Sequence, residues 1–228
     1  MKNKIKISVA VDLSYSPGKM ALAMKSEGEL DLIEFSREDV KNGANLLDWI
    51  SSSLSEKAVN ISEVDDWTIG TGPGAFSQLR MLSATILGIK FSDLSIRARG
   101  LPSGSVFSSL FSESNADFSV LYHMMKNIFV LNSFRKNGDE CVLLKTSSAS
   151  SISELRDDIL KSSTTFALVK NGETLELGDL GAKIRLLKDY PVKELIFLNP
   201  IFWDSASISD LIYARPAAVI PPGSLSKT

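Results

Sequence analysis

The run Gly70-Thr71-Gly72-Pro73-Gly74-Ala75-Phe76-Ser77-Gln78-Leu79-Arg80 decides how this chain is read. Ahead of it, residues 67–70 are short and β-rich; after it, residues 75–91 space their apolar side chains as a helix does. A strand that enters a helix through a glycine turn belongs to an α/β chain. The turn amides and the helix N-terminus together offer a place for an anion. No Gly-Lys-Ser/Thr follows, so this is not a Walker loop, and the dinucleotide spacing of glycines is missing. Taken as an isolated loop, a tight turn is the commoner role.

Working outward, residues 5–11, 19–25 and 30–35 read as a three-stranded meander broken by the turn clusters at 14–18 and 26–28. A helix is expected over 43–57 and a strand over 94–98. The second half repeats the order less cleanly. Strands are expected at 118–122, 127–134 and 140–145, with Asn137-Gly138 as a hairpin turn. A helix over 151–161, a strand over 166–170, a helix within 178–189 and a strand at 195–198 follow. The proline-bearing tail reads as extended or irregular. These are two β-β-β-α-β-α lobes, residues 1–100 and 101–228, with 100–104 as the hinge between them.

Composition narrows the function. The 228 residues are 44% hydrophobic and 23% charged, with 25 basic against 27 acidic side chains and a net charge of -2. That suits a chain with a real core and argues against autonomous binding of a polyanion. One cysteine, Cys141, excludes an internal disulfide, and one histidine, His123, excludes a metal site that needs two imidazoles. His123 lies in an apolar stretch without a Gly-x-Ser-x-Gly elbow and reads as a core or edge residue. Cys141 reads as structural. No apolar run approaches the roughly 20 residues of a spanning helix, so a cytoplasmic chain is expected.

Asp12, at the end of the first strand, has two readings. It can organise a metal-bound water or a phosphate, or, with Ser14, it can simply bond turn backbone, which is the commoner case. Asp12, Ser14, Gly72 and Gly74 are therefore the candidate nucleotide or phosphate contacts. In the helix that follows, Leu79, Leu82, Ile86 and Ile89 form a core stripe, while Ser77, Met81, Ala84 and Gly88 line a second, smooth face. That face meets either a helix of the same lobe or a partner. In the earlier helix the expected stripe is Leu46, Leu47, Ile50 and Leu54. Trp49 falls outside it, as an interface anchor or a ring laid over a loop.

Residues 70–80 resemble the signature of the TsaB (YeaZ) family, typically Gly-x-Gly-Pro-Gly-Ser-Phe-Thr-Gly-Leu-Arg. Gly72, Pro73, Gly74, Phe76, Leu79 and Arg80 match, Ala75 and Ser77 are near replacements, and Gln78 stands for a glycine. Ala10-Val11-Asp12-Leu13-Ser14 with Ala21-Leu22-Ala23 resembles the family's opening strands, and Tyr213-Ala214-Arg215 its close. The His-Ser-Glu lead-in near Asn45 and the Asp-Ala-Arg-Arg element near 122–127 are lacking.

The resemblance implies an actin-like ATPase (ASKHA, ribonuclease H-like) fold with a reduced second lobe. It implies a non-catalytic scaffold in tRNA threonylcarbamoyladenosine synthesis, paired with a TsaD-like transferase and joined by a TsaE-like ATPase. Such a chain meets tRNA only through the complex, forms a homodimer when alone, and needs no cofactor of its own. Magnesium-ATP would sit at the partner interface. That interface maps to Trp49, Ser77, Met81, Ala84 and Gly88. The competing reading is an independent actin-fold ATP-binding protein or kinase that uses Asp12 and the 72–74 loop. Lys136-Asn137-Gly138-Asp139 is the nearest approach to its second phosphate loop, with the wrong residue order. No catalytic constellation supports a peptidase, an older label for the wider family.

Overall fold

Strand β1 (Lys6–Asp12) is covered on both faces along its second half. Ile7, Val9 and Val11 turn into one core, and Ala10 turns into another. In the computed structural model, which describes residues 5–38, 40, 43–125, 128–168 and 175–213, β1 pairs antiparallel with β2 (Gly18–Ser26), and β2 with β3 (Glu29–Arg37). On its other side β1 pairs in parallel with β4 (Asp66–Gly70), and β4 with β5 (Arg97–Leu101). Helices α1 (Gly43–Ser55) and α2 (Phe76–Ser92) cover the face bearing Val9 and Val11.

The second sheet repeats this plan. Strands β6 (Asn115–Met125), β7 (Ile128–Asn137) and β8 (Glu140–Ala149) form the antiparallel meander. Strands β9 (Thr164–Leu168) and β10 (Ile184–Leu187) add in parallel beyond β6. The two orders, β3-β2-β1-β4-β5 and β8-β7-β6-β9-β10, correspond strand for strand. The helices are what shrink: α3 (Arg156–Lys161) has 6 residues against 13 in α1. Between β9 and β10 the described residues hold only a 3₁₀ turn, Gly178–Ala182, where the first lobe has α2.

Several local expectations are corrected. The last strand of the first lobe starts at Arg97 rather than 94. The helix expected over 151–161 opens as a 3₁₀ turn, Ser153–Leu155, and becomes α-helical only at Arg156. Residues 184–187, expected as helix, are β10, since Ile184 to Leu187 pair with β9 from Thr165 to Leu168. Residues 195–198, expected as a strand, form most of the short helix α4 (Glu194–Phe197). The tail expected to be irregular holds a 3₁₀ turn at Ser205–Ser209.

The second face of the first sheet packs on the second lobe. Ala10 and Ala21 are register partners in β1 and β2, and their small side chains admit the aromatic cluster of Phe107, Phe118, Tyr122, Phe166 and Tyr190. Residues 100–104 carry the chain across, packed tightly. A Cβ on Gly100 would strike the Ser207 backbone, and one on Gly104 would meet Phe134 at 2.8 Å. After β10 the chain returns to the first lobe, where α4 lies against β1 and β4 and the 205–209 turn lies along β5. Among the described residues no helix is long and apolar enough to cross a membrane.

Candidate functional site

Asp12, Ser14, Gly72 and Gly74 come together where β1 and β4 end. Asp12 is 2% exposed. The Ser14 backbone N–H donates to Asp12 Oδ1 at 2.7 Å, an Asx turn that fixes the chain leaving β1. Gly70 has to be glycine here, because a Cβ would overlap the Asp12 carboxyl group. Gly72 has φ +109°, the left-handed region, and its missing Cβ lets the Ile212 carbonyl approach. Gly74 packs on Ser14, its Cβ position 3.1 Å from the Ser14 Cα.

Each of these groups is already engaged. The Gly72 N–H donates to Ser103 Oγ at 3.1 Å, and the Gly74 N–H to the Ile212 carbonyl at 3.2 Å. Ser14 Oγ and Ser103 Oγ share a 2.7 Å hydrogen bond. The Tyr190 hydroxyl donates to Asp12 Oδ2, with the Ser103 carbonyl at 2.9 Å beside that bond. Tyr190 is 4% exposed. Burial, then the Asp12 charge, push its phenol well above the ordinary range, so it stays a donor. Tyr15 stacks on Tyr122 at 5.4 Å and tilts against Tyr190 at 5.9 Å, closing the space over Asp12 with rings. What this arrangement does chemically is hold a carboxylate dry, oriented and hydrogen-bonded.

Tyr190 and Ser103 are the site residues that sequence reading missed. Tyr190 stands 178 positions from Asp12, and only the Tyr190-Pro191 pair, a common end to a regular element, marks it locally.

The signature residues form a second knot beside the first. Phe76 and Tyr213 meet at 4.7 Å between ring centroids, Arg80 lies over Phe76 at 5.1 Å, and Tyr213 bridges to Gly74. Two segments picked out separately in the sequence are thus neighbours in space. Arg215 lies outside the described residues.

On α2, Ser77, Ala84 and Gly88 are exposed, Met81 is half-buried against the first core, and a Cβ on Gly88 would meet nothing within 4 Å. Phe91 continues this face and is 73% exposed. Trp49 is a correction: it is 4% exposed and part of the first core, while Leu47 is 46% exposed. At 100° per residue Trp49 sits 60° to one side of Leu46 and Leu47 sits 100° to the other. The buried arc runs from Trp49 through Ser53, Leu46 and Ile50 to Leu54.

His123 stacks on Phe129 at 4.7 Å, at a cavity of about 700 Å³ on the outer side of the second sheet, away from Asp12. Cys141 is buried, which pushes its thiol up to about 12. Residues 136–139 form the β7–β8 turn, with Gly138 at φ +60°. Among the described residues no three His, Cys, Asp or Glu side chains gather as metal ligands would.

No protein-family model matches the sequence, and no curated protein matches it. Solved structures do. The crystal structure of an uncharacterized protein with similarity to peptidase YEAZ from Pseudomonas aeruginosa has a TM-score of 0.64 at 16% identity, over 92% of this chain and 100% of that one. YeaZ from Pseudomonas aeruginosa has a TM-score of 0.57 at 15% identity, over 86% of this chain and 91% of that one. The likeness is one of fold, and together with the duplicated sheet order it gives the chain an actin-like (ASKHA, ribonuclease H-like) fold.

Proposed function

We propose that the chain is a divergent TsaB-type subunit, a non-catalytic scaffold that pairs with a TsaD-like threonylcarbamoyltransferase in tRNA threonylcarbamoyladenosine modification. One observation carries this reading. The fold likeness spans the whole of the YeaZ-like neighbour, and within this fold the signature residues Gly74, Phe76, Arg80 and Tyr213 form one packed knot. The state of Asp12 supports a scaffold over a kinase, because a metal-organising carboxylate has to face its ligand and this one faces Tyr190.

The partner surface is the exposed face of α2, Ser77, Ala84, Gly88 and Phe91, with Met81 at its edge; Trp49 belongs to the core cluster against which Met81 packs. Small residues there let a partner helix approach to the usual 8–10 Å between axes. Alone, the chain closes this face with a second copy. Magnesium-ATP, where the complex uses it, binds at the partner interface, tRNA is met through the complex, and a TsaE-like ATPase completes the assembly.

Reconstitution tests the reading. Mixed with a TsaD-type subunit, a TsaE-type ATPase, ATP and tRNA, the chain is expected to co-elute with the transferase and to raise threonylcarbamoyladenosine formation. The absence of both co-elution and stimulation would sink the proposal. Sedimentation of the lone chain should give a dimer at micromolar concentration; a monomer persisting to about 100 µM counts against the shared face.

A further inference from the structure

Residues 188–213 touch both lobes, and their bonds converge on two side chains. The first is Arg99 of β5, a fully buried guanidinium. A guanidinium has five N–H donors, and here all five are used on neutral acceptors. They reach the carbonyls of Leu195 and Ile196 at 3.2 Å each, Phe202 at 3.0 Å and Asn199, and the Thr68 hydroxyl at 3.1 Å. The Trp203 ring lies 4.3 Å from the same group. Four carbonyls of the returning segment are thus gathered by one residue of the first lobe.

The second is Asn199, at φ +48°. Its carbonyl is held by Arg99, and its side-chain amide reaches the margin of β8 as a neighbouring strand would. The Cys141 N–H donates to Asn199 Oδ1 at 2.8 Å, and Asn199 Nδ2 donates to the Cys141 carbonyl at 3.4 Å. The Asn199 N–H donates to the Asp139 carbonyl at 3.1 Å. One residue therefore joins β5 of one lobe to β8 of the other. Upstream, Tyr190 binds Asp12 and Asp189 pairs with Lys19 at 2.8 Å. Along the same segment Val192, Leu195 and Ile208 are fully buried.

We propose that residues 188–213 are a locking strap, with Asn199 as its joint, which holds the two lobes at one fixed separation and keeps the cleft over Asp12 shut. The lock is a property of this chain alone and stands apart from the identity of any partner.

Cys141 is a built-in reporter, the sole cysteine of the chain, 4% exposed, in the wall of a cavity of about 480 Å³ that Asn199 and Phe202 also line. Its reaction with a thiol reagent, followed on the native full chain at one pH, reports release of the strap. The wild-type thiol is expected to react about 100-fold or more slowly than in the denatured chain. Asn199→Ala, checked as folded by circular dichroism, should react about tenfold or more faster than wild type. Arg99→Gln, which does not touch Cys141, should do the same if it folds, because its effect travels through the strap. Lys161→Ala, at an exposed ion pair of α3 outside the strap, should leave the rate unchanged. A wild-type thiol as reactive as the denatured one would overturn the lock. So would a folded Asn199→Ala protein with the wild-type rate.

Discussion

The Tyr190 hydroxyl is a single atom group whose removal has a calculable effect. Tyr190→Phe keeps the ring that fills the cleft and deletes the donor to Asp12, leaving a buried carboxyl group one bond short. The expected loss is about 1.5–3 kcal/mol in a urea titration, the range for hydrogen bonds to charged groups. Trp49 gives the complementary case. As a core residue it should lose about 3–5 kcal/mol on Trp49→Ala, whereas Leu47→Ala, at a half-exposed position, should stay within about 1 kcal/mol. The pair of measurements separates the observed arc of α1 from the stripe expected from sequence, which would reverse the order. Asp12, Ser14, Gly72 and Gly74 were legible because strand ends and glycine turns leave local marks. Tyr190 was not, since nothing near it in the sequence records what it touches.

At the scale of elements, α2 offers the sharpest test. Gly88 is exposed and a Cβ there meets nothing within 4 Å, so Gly88→Arg can direct its side chain into solvent. A folded monomer is expected, with the homodimer weakened by about 2–4 kcal/mol, a hot-spot loss, and a fold slightly firmer for losing a helical glycine. An unfolded product, or a dimer of unchanged strength in sedimentation, would contradict that assignment of the face. In the second lobe, Asp158 of α3 bonds Lys145 and Ser147 of β8, and these bonds hold its carboxyl group below the ordinary range. A folded pKa below the unfolded one gives stability that is present above the unfolded value and lost as the pH falls through the folded one. The difference between wild type and Asp158→Asn should be at most about 1 kcal/mol at neutral pH. It should fade in acid, below about pH 4. A gap that widens in acid would contradict the pairing. The misread elements of this lobe have a common cause. Leu180, Ile184 and Leu187 carry helical spacing, yet pairing with β9 draws 184–187 into the sheet. Leu195 to Leu198 is a continuous apolar run, which periodicity alone cannot assign to strand or helix.

For the whole molecule, the duplicated sheets were legible and the way they join was not. Alternation and turn residues are local, whereas the small Ala10–Ala21 pair acquires meaning only from the rings that rest on it. The closed cleft makes a prediction at this scale. Calorimetry of magnesium-ATP against the isolated chain should show no saturable binding in the cleft and no turnover. Binding or hydrolysis abolished by Asp12→Ala would reverse this in favour of a kinase.

The outer strands carry one more consequence. A bare strand margin is a template on which other chains can polymerise. The first sheet ends in β3, which bears Glu29, Asp31, Glu34 and Arg37, and in β5, whose Gly100 N–H is taken by Ser207 Oγ at 2.8 Å. The second ends in β10, only 4 residues long, and in β8, where Asn199 stands in for the missing neighbour at Cys141. Charge, brevity and side-chain mimicry thus blunt these margins in turn. Crowded together, copies of this protein are steered away from fibril growth, and their self-association is left to helix surfaces, where it can be reversible and finite.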